Sequence, residues 1–123
     1  MIVFDTSILI AHLRGDERAT HLLLGAPTGD RAASVLARIE VEGGMRSGER
    51  RSVASLFGVL QLLPVTDAIA RRAGELLRTY RLSHPGIDLV DYAVAATAEV
   101  HGATVATLNV KHFPMIEGLR APF

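Results

Sequence analysis

The residues here that could do chemistry are four acids, Asp5, Glu40, Asp88 and Asp91, with an amide at Asn109. Asp5 ends an apolar run and is followed by two hydroxyls in "MIVFDTSILI". Two uses suit that arrangement. Asp, Thr and Ser side chains accept hydrogen bonds from the free N–H groups of a helix's first turn. A carboxylate at the carboxyl end of a central strand is also where open parallel sheets keep their sites. On this stretch alone, capping is the stronger reading. Asp88 and Asp91 stand three apart in "GIDLVDYAVAATAEVHG", the spacing of an N-cap and a first-turn acid favoured by the helix dipole. Glu40, near Arg38, reads singly as a solvated helix residue. The five histidines show no paired-ligand spacing and read as surface or cap residues. Cysteine is absent, which removes disulfides and thiolate–zinc sites.

Short apolar strands alternating with helices must position these groups. Ile2 to Phe4 reads as the first strand, leading into a helix that carries Ile8, Leu9 and Leu13. A second helix starts at Asp16 and ends near Gly25, and Pro27 to Asp30 form a turn. "RAASV" is a strand, and Ser34 caps a helix carrying Leu36, Ile39 and Glu40 up to Gly43 and Gly44. Ser47 opens another helix, with Val53, Leu56, Phe57 and Leu60 at helical spacing as core or oligomer surface. "QLLPV" is a strand, and Thr66–Asp67 cap a helix through Ile69, Ala73, Leu76, Leu77 and Tyr80. A last helix runs from about Asp88 to His101 with Gly102 as its stop, then "ATVATL" as the final strand. This order implies a parallel sheet covered on both faces. In such a sheet Asp5, Glu40, Asp91 and Asn109 can converge on one end.

Bulk properties narrow the class. A chain of 123 residues, 49% hydrophobic and 21% charged, fits one globular domain over 1–123 with a core of its own. No basic run precedes the first apolar residues and no apolar segment spans a bilayer, so the expected compartment is the cytoplasm. Thirteen basic residues balance thirteen acidic ones, which argues against coating nucleic acid by bulk charge. Local patches remain open. All the basic residues except Lys111 are arginine, the better phosphate fork. Arg46, Arg50 and Arg51 read first as a solvated face and second as backbone contacts to RNA.

Taken together, "IVFDTSILI", "LARIEVEGG" and "GIDLVDYAVAATAEVHGATVATLNVKHF" resemble the PIN-domain ribonucleases, specifically the VapC-type toxins of toxin–antitoxin pairs. The resemblance covers nearly the whole chain, and its last block is the most specific. It implies a PIN-like three-layer α/β/α fold with a central, mostly parallel sheet and a small helical insertion after the second strand. It implies a metal-dependent endoribonuclease using Mg²⁺ or Mn²⁺, a VapB-type antitoxin as partner, and a homodimer. Carried over by position, Asp5, Glu40 and Asp91 match the family's catalytic, metal-holding acids, and Thr6 matches the hydroxyl after the first. The sequence departs at the fourth acid: "TLNVKHF" has Asn109 and His112 where a carboxylate is common. Asp88 is one candidate replacement and Glu42 another, though Glu42 lies on a different face of its helix from Glu40.

Two carboxylates about 4 Å apart repel by roughly 4 kcal/mol at an effective dielectric near 20, so three would converge only around a proton or a cation. Magnesium takes oxygen ligands and keeps several waters. It makes a bound water a better nucleophile, so no nucleophilic side chain is needed. Two other readings compete. One is a PIN-like module that binds RNA without cutting, supported by the altered fourth position. The other is a phosphotransfer domain with an Asp after its first strand; it lacks the second Asp two residues on, where Ser7 stands.

Overall fold

The computed structural model describes residues 1–123. Its elements are β1 (Ile2–Phe4), α1 (Thr6–Leu13), α2 (Glu17–Gly25), β2 (Arg31–Ser34), α3 (Val35–Gly43), α4 (Arg50–Gly58), β3 (Gln61–Leu63), α5 (Asp67–Tyr80), α6 (Leu89–His101) and β4 (Thr104–Ala106). The strands make one sheet in the order β3-β2-β1-β4, every neighbouring pair parallel. Val3 faces Ala32 on one side and Val105 on the other. β1 is therefore an interior strand.

Side chains alternate across each strand, and that alternation builds two cores. Val3, Ala32, Leu63 and Val105 point to one face, where Ile69 and Leu76 of α5 and Tyr92, Val94 and Ala96 of α6 cover them. Phe4 and Ala33 point to the other, into a cluster with Ile8, Leu9, Leu23, Val41, Val53, Leu56 and Phe57 from α1 to α4. The result is the expected three-layer α/β/α arrangement, with α3 and α4 between the second and third strands. In α6 every residue from Asp91 to Ala98 is buried. Its small side chains let the helix lie close to the sheet and to α5. No helix is long and apolar enough to cross a membrane.

Four boundaries differ from the sequence reading, among them β3, which ends at Leu63 rather than Val65 because Pro64 has no N–H to continue the ladder. α4 begins at Arg50 rather than Ser47, because Gly48 at φ +85° turns the chain and Glu49 Oε1 accepts the Arg46 N–H at 2.6 Å. Val35 leaves the second strand for α3, since Ser34 Oγ accepts the Leu36 N–H at 3.2 Å and starts the helix there. The last strand stops at Ala106, where Thr107 Oγ1 accepts the Asn109 N–H at 2.9 Å and bends the backbone away. Val53, Leu56 and Phe57 are buried core, so they are not an oligomer surface.

Candidate functional site

β1 delivers Asp5 to the carboxyl edge of the sheet, where its backbone N–H donates to the Ala106 carbonyl at 2.9 Å. Asp5 occupies the N-cap position of α1, yet its side chain caps nothing. The capping reading of this stretch is corrected. Asp5 Oδ2 instead accepts hydrogen bonds from Thr107 Oγ1 at 2.8 Å and Ser7 Oγ at 3.0 Å. Ser7 Oγ in turn accepts the Leu108 N–H at 3.0 Å. The carboxylate is 4% exposed as a residue and Thr107 fully buried, so these two hydroxyls replace most of the water Asp5 has lost.

Glu40 projects from α3 toward the same place, and its Oε1 accepts from Thr6 Oγ1 at 2.7 Å. Arg38 pairs with Glu42 at 3.3 Å, which leaves Glu40 to the hydroxyl rather than to the guanidinium. At the start of α6, Asp88 and Asp91 form a capping box. Asp88 Oδ1 accepts the Val90 and Asp91 N–H groups at 2.9 and 3.2 Å, and Asp91 Oδ2 accepts the Asp88 N–H at 3.4 Å. Asp91 Oδ2 also lies 3.2 Å from His112 Nδ1. Burial first, then the negative charges of Asp88 and Asp5, push the Asp91 carboxyl up to about 6; the Asp88 N–H and His112 act in the opposite direction.

These residues line one cleft of about 210 Å³: Asp5, Thr6, Glu40, Asp88, Asp91 and Asn109, all singled out from the sequence, together with Ser7, Ile10 and His112. Arg46, Arg50 and Arg51 are exposed and stand outside it. The sequence reading missed the roles of Ser7 and Thr107, and it named His112 only as standing where the family commonly has its fourth acid. Both hydroxyls lay inside quoted motifs, "DTS" and "TLN", but nothing in their spacing says that they share one carboxylate across the fold. With the other histidines, His112 was also read as a surface or cap residue, with no partner assigned. Its side chain is 44% exposed, but its other side faces Asp91.

No three acidic or histidine side chains converge on one point, so the cleft offers a donor set and not a finished cage. Each carboxylate is drawn to its own hydroxyl, N–H or imidazole partner. The donors still suit a hard divalent ion: they are oxygens, acidic and crowded enough that one of them takes up a proton unusually readily.

Comparison with known proteins places this geometry. The PIN domain family model matches residues 2–116. The chain is 50% identical over 124 residues to Ribonuclease VapC10 of Mycobacterium tuberculosis, covering 100% of this chain and 93% of that protein. It is 43% identical over 125 residues to Ribonuclease VapC19 of the same organism, covering 100% of both. Among solved structures, a toxin–antitoxin complex from Klebsiella pneumoniae superposes with TM-score 0.84 at 29% identity, over 100% of this chain and 98% of that one. FitAcB from Neisseria gonorrhoeae superposes with TM-score 0.74 at 26% identity, over 92% of this chain and 91% of that one.

Proposed function

This chain belongs to the PIN-domain family, in its VapC-type branch, and we propose that it is a ribonuclease toxin that cuts RNA with the help of Mg²⁺ or Mn²⁺. One observation carries the reading. Asp5 sits where a helix cap is free for the taking, yet hydroxyls hold its carboxylate in an acidic cleft instead. Maintaining such crowding at a cost to stability is characteristic of a binding site.

Asp5, Glu40 and Asp91 would hold the cation, with Asp88, Asn109 and Thr6 the nearest further donors. Once bound, the ion supplies an activated water and a positive charge against the phosphate oxygens. The chain's own residues set the stage for that. Ser7 and Thr107 fix the Asp5 carboxylate, Thr6 orients Glu40, and the Asp88 N–H and His112 hold Asp91. Without a cation, the four acids among the cleft's nine lining residues repel a phosphodiester. Arg46, Arg50 and Arg51 meet phosphates farther along the strand in this reading, steering RNA without reading its sequence. The partner is a VapB-type antitoxin that places a basic side chain against the acids, substituting for the cation's charge. The working form is a homodimer in the cytoplasm, where its RNA is.

The test is cleavage of a fluorogenic RNA with added Mn²⁺, with chelator, and with Asp5→Asn. Asp5→Asn keeps the side chain's shape and removes its charge, so cutting should vanish while the melting transition persists. A folded Asp5→Asn protein that cuts at the wild-type rate would overturn the proposal. Tight binding of RNA without any cleavage would favour the non-cutting module.

A further inference from the structure

We propose that Glu49 is a positioning residue for substrate: with Arg14 it seats an arginine-bearing turn at the far end of α1, so that RNA lies along α1 from the acids to Arg46, Arg50 and Arg51. This rests on the reading above that the cleft cuts RNA. Glu49 occupies the N-cap position of α4, yet its side chain caps nothing there. Oε2 takes the Arg14 guanidinium at 2.5 Å, and Oε1 accepts the Arg46 N–H at 2.6 Å. The Arg14 and Glu49 side chains are only 28% and 17% exposed, so the pair is better sheltered from water and salt than an ordinary surface ion pair. The turn needs such a grip. Gly43, Gly44 and Gly48 surround it, and Gly48 stands at φ +85°. The Gly44 N–H donates to the Glu40 carbonyl at 3.1 Å, so the turn continues the helix that carries one of the cleft's acids.

Charge gives the role. Arg14, Arg18, Arg38, Arg71 and Arg72 each pair with an acid, whereas the exposed Arg46, Arg50 and Arg51 pair with none. Arg50 and Arg51 also stand in the first turn of α4, where the helix dipole favours acids and no acid is present. Three unpaired cations kept in that place suit an anion from outside the fold. Helix α1 sets the distance. Thr6 and Ser7 at its start line the cleft, and Arg14 follows its last residue. The eight residues of α1 span about 12 Å at a rise of roughly 1.5 Å each. At roughly 3.4 Å of rise per stacked nucleotide, that is the reach of about three or four phosphates. A phosphate at the acids and phosphates on the arginines can thus belong to one strand, provided that the turn stays where Glu49 holds it.

The experiment uses the full chain and a short fluorogenic RNA spanning the bond that wild type cuts, with versions extended by about four nucleotides on one side or the other. Wild type should cut one of the extended versions ~10-fold or more better in kcat/KM than the short RNA, and through KM. Glu49→Ala and Arg14→Gln should each bring that advantage down to ~3-fold or less, as should Arg46→Gln, Arg50→Gln and Arg51→Gln combined. Glu49→Ala adds net positive charge and Arg14→Gln removes it. A shared loss therefore marks positioning, because bulk attraction would move the two in opposite directions. Where Glu49→Ala gives no cooperative melting transition, Glu49→Gln takes its place. A folded Glu49 variant with a larger advantage, or an Arg14→Gln protein with an unchanged one, would mean that the glutamate only screens the arginines, and the assignment is wrong. A wild type that cuts all three RNAs alike would mean that RNA does not lie along α1, with the reading of the cleft intact. If wild type cuts no RNA, or Asp5→Asn cuts as fast as wild type, the assignment and the reading of the cleft fall together.

Discussion

Thr107 donates its hydroxyl to Asp5 Oδ2 at 2.8 Å, joining the ends of two adjacent strands across 102 residues of sequence. Both residues are buried, and the same hydroxyl accepts the Asn109 N–H. Thr107→Val keeps the shape and strands both partners. It should cost roughly 1–3 kcal/mol in denaturant unfolding and weaken cleavage, and Thr107→Ser should recover most of each. A Thr107→Val protein with an unchanged unfolding midpoint would show that the hydroxyl holds nothing.

Asp91 makes stability depend on pH in the metal-free protein. Its carboxyl lies at about 6 in the fold against an ordinary 3.8, with burial the largest cause. Between those values the folded state binds the proton more tightly than the unfolded one. Stability therefore falls as pH rises through that window, and above it the buried charge weighs in full. Asp91→Asn in chelator should raise the melting temperature by a few degrees at pH 7.5. The advantage should vanish below the ordinary value of 3.8. Melting curves across pH decide it, and a variant that is less stable at pH 7.5 reverses the sign and the explanation.

Asp88 has two jobs that substitution separates. Asn keeps a good cap and removes the charge, whereas Ala removes the cap and should cost about 1 kcal/mol. Asp88→Asn should therefore unfold near wild type while lowering the Asp91 pKa, seen by NMR titration, because Asp88 is the nearer of its two negative neighbours in effect. Asn109→Asp adds a carboxylate to the cleft and should tighten Mn²⁺ binding. Identical Mn²⁺ affinity in wild type, Asp88→Asn and Asn109→Asp would mean that neither position faces the ion.

Tyr92 follows Asp91 into the core at 1% exposure, and its hydroxyl has no hydrogen-bond partner. A buried polar group left unpaired is destabilising by about 1–3 kcal/mol. Tyr92→Phe removes only that oxygen, so its melting temperature should rise. A fall would show that the hydroxyl is satisfied in solution.

The layers were legible from sequence because each strand carries residues for both faces. Val3 and Phe4, or Ala32 and Ala33, commit β1 and β2 to a sheet covered twice. Strand ends were less legible, because single hydroxyls at Ser34 and Thr107 decide them and either residue also fits a strand. The acids were legible as types, and their placement followed from parallel strand order. What escaped was partnership. Ser7 and Thr107 meet on Asp5 only after folding, and His112 reaches Asp91 from a turn with no periodicity to betray its direction.

The pairing of Ile2 with Thr104 also sets an order of events during synthesis. A chain made from its amino end produces β1 first, but the neighbour on one side of that strand is translated about as late as this fold allows. Non-local parallel pairing is slow to form, because the intervening chain must be closed before the contact stabilises anything. Until β4 leaves the ribosome, Asp5 has neither Thr107 nor the turn that carries Asn109 and His112. A stalled or truncated product therefore carries the first acid without the cleft. The cell that makes this protein meets the assembled cleft only once β4 and the turn after it have been made.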